Sequence, residues 1–419
     1  MQLPKMMRVK QHFDAPTLDD IPGALREEIA KQNLSGKINK GDSVAISVGS
    51  RGIANIALIT KTVIEELKLL GAEPFVVPAM GSHGGGKAEG QRGIIESYGV
   101  TEEYIEAPIR ATMDVVQVGE TEDGVPVFFD KYAYEADHVV VAGRVKPHTG
   151  FVGEIESGLH KMMLIGLGKH KGAALYHQAI VHYSFDRIVR SVGQTVIDEC
   201  GVLFGLGIVE NQYDNTALVR TVEPENFVDG EKELLLLAKE WMPSLPFEQI
   251  DVLVVEEMGK NISGSGMDTN VIGRKYYDHK AAEKEYPKVT RLVVRSLTEE
   301  THGNASGIGM ADYIHKRILD QIDLEATAIN TMTGNHPSAG AVPISFDSDR
   351  KALEAALSTC GLVESPDAKV VRIQNTLDVE EILVSESYEK EIQQRSELSV
   401  VEAAKDIAFD GDDNLLAFG

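Results

Sequence analysis

Ser43-Val-Ala-Ile-Ser-Val48 runs into the turn Gly49-Ser50-Arg51-Gly52, then into Ile53 to Leu70 with apolar residues at helical spacing, then into Glu73-Pro-Phe-Val-Val-Pro-Ala79. Strand, tight turn, helix and second strand are the grammar of a βαβ unit, in which a crossover helix joins two parallel strands. After the second strand, Met80-Gly-Ser-His83-Gly-Gly-Gly86 leads into a predicted helix from Lys87 to Tyr98. Both turns fall at the carboxyl ends of strands, where open α/β sheets bind ligands. Ser50, Arg51 and His83 are therefore expected to line one crevice.

Working outward, Thr121 to Asp130 is rich in turn residues, and Ala136-Asp-His-Val-Val-Val-Ala142 is an apolar strand that runs on to a Pro147-His148 loop. Val202–Val209 and Ala217–Val222 read as further strands, and the first domain is expected to end near Pro246. Beyond it, Ile250–Glu256, Arg291–Arg295, Thr327–Asn330 and Val370–Ile373 read as strands, alternating with helical candidates Ala311–Asp323 and Asp349–Ser358. The fold class is α/β, with two α/β domains and the active site expected in the interdomain cleft. Residues 1–246 form the N-terminal cofactor-binding and catalytic domain, 247–399 the C-terminal α/β domain, and 400–419 a tail returning to the first domain. A chain of 419 residues exceeds the usual size of one hydrophobic core, in agreement with that division.

No run of about 18 apolar residues is present and the first residues lack the apolar core of a signal peptide, so no membrane association is expected. Cys200 and Cys360 are the only cysteines and have no zinc-like spacing, which fits a reducing cytoplasm. A formal charge of −24 opposes nucleic-acid binding, which calls for a basic stripe. A locally basic pocket in so acidic a chain points to a small anionic ligand.

That basic locality lies between Arg144 and His177, from Arg144-Val-Lys-Pro-His148 through Ser157-Gly-Leu-His-Lys161 and Gly166-Leu-Gly-Lys-His-Lys171 to Leu175-Tyr-His177. Six of the twelve histidines lie between His138 and His182, a density of near-neutral bases and possible metal ligands that suits a site better than a core. Locally, His83 and His148 read equally well as acid/base groups and as loop-stabilising histidines. Gly81–Gly86 reads as a phosphate-cradling turn or a plain one, and it matches neither Walker A nor GxGxxG spacing. Lys161 and His177 are 16 residues apart, about 24 Å along one straight helix. To touch one ligand the chain must fold back between them, with Gly166, Gly168 and Gly172 as break points. His160, Lys169, His170 and Lys171 are expected to face solvent or to stand behind the site residues. In the second half, Asn261 to Asn270 is a polar, glycine-bearing loop that serves equally as a cleft-closing segment and as a simple turn.

Taken in order, Arg51, His83, His148, Lys161 and His177 resemble the nickel-dependent lactate racemase family of 2-hydroxyacid racemases and epimerases. The resemblance implies two catalytic bases, His83 and His148, and a pyridinium mononucleotide carrying two sulfur groups attached covalently to Lys161. It implies that this pincer cofactor holds nickel through its sulfurs and a ring carbon, with His177 as the metal ligand from the protein. Arg51 would bind anionic groups, with Ser50 beside it in the cofactor-binding turn. The implied partners are a small anionic substrate and cofactor-synthesis proteins. In the implied chemistry, a histidine removes the hydroxyl proton while the Cα hydrogen leaves as hydride and returns to the opposite face.

The sequence departs from the family in three places. The Asp-x-Thr-Arg turn appears as Val48-Gly-Ser50-Arg51; the segment between His148 and Lys161 is longer and carries Glu154 and Glu156; and Met267 stands where a lysine often precedes Asp-x-Asn, with Lys260 as a substitute. These changes suggest a substrate larger or more polar than lactate. Two other readings of the same residues are a divalent-metal-dependent hydrolase or lyase using the histidines, and a non-catalytic small-anion-binding protein. Absent HxxEH and HExxH spacings weigh against the first.

Overall fold

The computed structural model describes all residues except Arg51, 276–282, 284 and Gly419. The chain divides into two compact units, residues 15–242 and residues 1–14 together with 243–419. Its first strand, β1 (Met6–Gln11), belongs to the second of these.

The unit of residues 15–242 carries β2 (Ser43–Val48), β3 (Glu73–Pro78), β4 (Val115–Glu120), β5 (Pro126–Asp130), β6 (His138–Arg144), β7 (Val202–Glu210) and β8 (Thr216–Val222). Its sheet has the order β3-β2-β6-β7-β8, parallel throughout except for the final β7/β8 pair. β2 and β3 are joined by the helix Ile56–Leu69, so the predicted βαβ unit is present. The strands bury both faces, and side-chain alternation sorts them. Ala45, Phe75, Val77, Val139 and Val141 enter one core with the helices Phe185–Glu199 and Phe227–Trp241. Val44, Ile46, Val48, Val76 and Val140 enter the opposite core with Ile21–Lys31 and Ile56–Leu69. The turn-rich Thr121–Asp130 region is an antiparallel hairpin, β4 with β5, closed around Thr121–Val125.

The other unit holds β9 (Gln249–Met258), β10 (Lys288–Leu297), β11 (Tyr313–His315), β12 (Ile344–Phe346), β13 (Val370–Ile373), β14 (Glu381–Ser385) and β15 (Leu398–Lys405). With β1 they form one sheet in the order β12-β11-β10-β9-β13-β14-β1-β15. The strands from β12 to β13 are parallel, and the remaining pairs are antiparallel.

The structure corrects several expectations. Residues 1–14 leave the first domain because β1 is hydrogen-bonded between β14 and β15, while the division between Met242 and Pro243 lies four residues before the expected Pro246. The tail expected to return to the first domain pairs with β1 inside the unit of residues 243–419. Thr327–Asn330 is helical, within Leu324–Thr333, because Asp323 caps that segment by accepting from Ala326 N at 2.9 Å. Ala311–Asp323 is not one helix: β11 pairs in register with Val293 and Val294, leaving only Arg317–Gln321 helical. Among the described residues, no helix is long and apolar enough to cross a membrane.

Candidate active site

In the sheet of residues 15–242 the chain runs from β2 outward to β3, then returns to place β6 on the other side of β2. The carboxyl ends of β2 and β6 thus form a topological switch point, the usual binding crevice of an open parallel sheet. The loops after β2, β3 and β6 carry Ser50, His83 and His148, and the short helix Leu159–Lys161 follows.

Ser50 and His83 are brought together, with Ser50 Oγ 2.6 Å from His83 Nδ1. Tyr98, on the helix Ala88–Ser97 and its cap, donates its hydroxyl to Ser50 O at 2.6 Å. The His83 loop turns on glycines: Gly81, Gly84, Gly85 and Gly86 all have φ between 60° and 65°, in the left-handed region. Gly84 also lies against the backbone of Gly90 and Gln91, where a Cβ would stand 2.6 Å from Gln91 N. From beneath, Gln91 donates Nε2–H to Gly81 O at 2.8 Å and to His83 O at 3.3 Å.

His148 is set by an acidic residue eight positions later. The ends of its loop are clamped where Lys146 N donates to Ser157 O at 2.8 Å and Ser157 N to Lys146 O at 3.2 Å. Inside, the fully buried Glu156 accepts from His148 N at 2.7 Å and from Gly153 N at 3.3 Å, and pairs with Lys239 at 2.5 Å. Gly150 N donates to His148 Nδ1 at 2.9 Å. A neutral His148 ring in this arrangement carries its proton on Nε2. Its face packs on Phe151 and Phe185, which stack on each other at 4.4 Å.

Lys161 ends a short helix and is half-buried. Of the two places expected for its neighbour His160, the structure shows the one behind the site residues and not the solvent-facing one. His160 is 1% exposed, its Nδ1 lies 2.6 Å from Glu231 Oε2, and its backbone N–H donates to the same oxygen at 2.9 Å. The chain then forms a five-residue π turn, Met162–Gly166, and Lys169 adopts a left-handed φ of 54° before the helix Lys169–His182 begins. Lys161 and His177 are therefore not on one straight helix, and such π turns are frequent at functional sites. Of the three expected break points, Gly172 lies inside the new helix and breaks nothing. Gly166 permits close approach to the end of β3, where a Cβ would meet Ala79 O at 2.9 Å.

Lys169 takes the second of its two expected places, behind the site residues, being fully buried with its ammonium 2.8 Å from Asp130 Oδ2. Burial pushes the Asp130 carboxyl upward, and the Lys169 charge opposes that shift. Tyr176 is likewise buried, its oxygen accepting from Phe128 N at 2.9 Å, and burial pushes its phenol up to about 12. Lys169 and Tyr176 thus anchor the helix to β5, with half-buried His177 next in sequence. His170 and Lys171 are exposed as expected, though the Lys171 ammonium lies 4.1 Å from the Phe128 ring centroid.

Arg51 lies outside the described residues. The turn that follows it is held by Glu210, which accepts from Ala54 N at 2.6 Å and pairs with Arg144 at the end of β6. Val48, standing at the family's acidic position, is 1% exposed and belongs to the core. In the other unit, Lys260 donates its ammonium to Gly264 O and to Asn330 Oδ1, the latter at 2.6 Å. Among the described residues no group of three or more His, Cys, Asp or Glu side chains converges to hold a metal ion. An amine at Lys161 and one imidazole at His177 fit in kind a group that brings its own remaining donors.

Glu156, Gln91, Asp130 and Glu231 were not assigned roles from sequence. Gln91 was the most accessible of them, because it shares a helical stripe with Ile95 and Tyr98 and is the buried polar member of that stripe.

Residues 6–186 match the family model described as the lactate racemase N-terminal domain. The fold is similar to the lactate racemase apoprotein from Thermoanaerobacterium thermosaccharolyticum, with a TM-score of 0.52 and 12% identity over 89% of this chain and 99% of that one. It is also similar to a structural-genomics target from Thermotoga maritima, with a TM-score of 0.50 and 13% identity over 78% of this chain and 82% of that one. No curated protein matches in sequence. The structural likenesses speak to the fold, and the family model to the N-terminal sequence. Residues 6–186 thus resemble a lactate racemase N-terminal domain in sequence, and the chain shares its fold with a lactate racemase apoprotein.

Proposed function

We propose that this protein is a racemase or epimerase that inverts the C2 centre of a 2-hydroxyacid or sugar acid. The observation that carries the reading is the gathering of the Ser50, His83 and His148 loops at the carboxyl-end edge of one parallel sheet, followed directly by the helix that ends at Lys161. Lys161 would carry the nickel pincer mononucleotide and His177 would be the nickel ligand from the protein. When bound, that group supplies a carbon that takes up the C2 hydrogen and returns it.

The histidines manage the hydroxyl proton. With Nδ1 accepting from Gly150, neutral His148 carries its proton on Nε2 and would donate a hydrogen bond from there to the substrate oxygen. His83 is complementary: with Nδ1–H donating to Ser50 Oγ, Nε2 would be the basic nitrogen of the ring. The ring that accepts the hydroxyl proton becomes an imidazolium and returns that proton to the same oxygen after inversion, so each histidine ends the cycle neutral. Val48 in place of an acidic residue and Met267 in place of a lysine favour a substrate other than lactate.

The test uses protein produced together with cofactor-synthesis proteins. Peptide mass spectrometry is expected to show a mononucleotide adduct on Lys161, with nickel in equal amount, and chiral analysis of a hydroxyacid panel should show inversion. His83→Asn and His148→Asn should each lower kcat by about 100-fold or more. An unmodified Lys161 under conditions that load a known racemase would reject the proposal, and exclusive turnover of lactate would reject its substrate part.

A further inference from the structure

The buried ammonium of Lys169 has three N–H donors and meets three acceptors from three separate elements. These are Asp130 Oδ2 at the end of β5, Pro78 O at the end of β3, and Gln91 Oε1 at 3.3 Å on the helix Ala88–Ser97. Lys169, Asp130 and Gln91 are all 0% exposed. Taking a lysine this far out of water is costly unless it is paired, and replacing such a pair by apolar side chains is often harmless to stability. Stability alone therefore gives a weak reason for this arrangement.

The arrangement does something that an apolar contact would not. Because Gln91 spends its carbonyl on Lys169, its amide nitrogen must face the opposite way, and there it meets Gly81 O and His83 O. A flipped amide would set oxygen against two carbonyls. Both amide hydrogens are used, so hydrogen bonds run unbroken from Lys169 through Gln91 to His83, while Asp130 meets Lys169 as an ion pair. Lys169 is also the first residue of the helix that carries His177, and its left-handed φ of 54° is local strain at the junction.

We infer that Lys169 is a positioning residue that, through Gln91, holds the His83 loop in register with the helix carrying His177. Its catalytic meaning rests on the proposed racemase reading, in which His83 is a base and His177 a ligand. Misplacing a catalytic group by about 1 Å is enough to lose up to about 100-fold in rate.

The test records the imidazole NMR signals of His83 in unloaded protein with labelled histidine, assigned through His83→Asn, and kcat and KM in loaded protein. Three variants are compared: Gln91→Leu, Gln91→Glu, which keeps an acceptor for Lys169 but loses both donors, and Lys169→Met combined with Asp130→Asn, which leaves no buried charge stranded. Each is expected to move the His83 ring signals while leaving those of His315 in place, and to lower kcat about tenfold with KM nearly unchanged. The triple combination with Gln91→Leu should add nothing further to the shift of His83. Lower melting temperatures with unmoved His83 signals and unchanged kcat, or strictly additive effects, would overturn the inference. If the wild type turns over no hydroxyacid yet the signals move non-additively, the proposed reaction fails and the coupling of Lys169 to His83 stands.

Discussion

At the scale of single residues, the three candidate chemical groups nearest the sheet edge each rest on a buried polar side chain that sequence alone left without a role. Gln91 lies under His83, Glu156 under His148, and Glu231 beside His160 just before Lys161. The chemical residues were legible because histidine and lysine among glycines are conspicuous. Their supports were not, since a glutamate in a helix or loop is ordinarily a solvated charge and only tertiary burial turns it into an anchor. Glu156 gives a direct check. Glu156→Ala strands the His148 and Gly153 N–H groups and removes the partner of Lys239, so urea melts should show a loss of about 2–4 kcal/mol. Lys239→Ala, at a partly exposed position, should cost less than half as much. Equal losses would mean that the salt bridge, and not the loop hydrogen bonds, carries the stabilisation.

At the scale of elements, a helix and a glycine turn are packed so closely that neither tolerates a side chain. A Cβ on Gly90 would strike the Gly84 carbonyl, and Gly84 itself needs a left-handed φ of 65°. Gly90→Ala improves helix propensity yet must push the His83 loop away from the helix. We expect loaded Gly90→Ala protein to melt within a few degrees of the wild type while its kcat falls at least tenfold, measured by thermal denaturation and chiral assay. Unchanged kcat would show that the loop absorbs the displacement. The same scale shows where periodicity was informative. β2, β3, β6, β7, β9 and β13 were read correctly because apolar runs of strand length ended at recognisable turns. Thr327–Asn330 was misread because four residues with a β-branched bias say less than the Asp323 cap before them, and β11 because three residues hold no measurable period.

At the scale of the whole molecule, the N-terminal segment is built into a sheet whose other strands lie more than two hundred residues away in sequence. β1 sits between β14 and β15 and contributes Val9, which is fully buried. A fragment of residues 15–242 has complete cores on both faces of its sheet and should unfold cooperatively by circular dichroism. A fragment of residues 243–419 lacks the strand between β14 and β15, so its melt should be broad until a peptide of residues 1–14 is added. A sharp transition without the peptide would show that β1 is dispensable.

The sequence by itself determined the α/β class, the central βαβ unit and the places along the chain where chemistry is concentrated, because these depend on local periodicity and on residue type. The tertiary structure decided that residues 1–14 close the distant sheet, that Lys169 and His160 are buried, and that Gln91 and Glu156 underpin two histidine loops. Those outcomes depend on which distant backbone groups and charges share a dry environment, and hydrogen-bond satisfaction there is a property of the folded whole that no short window of sequence contains.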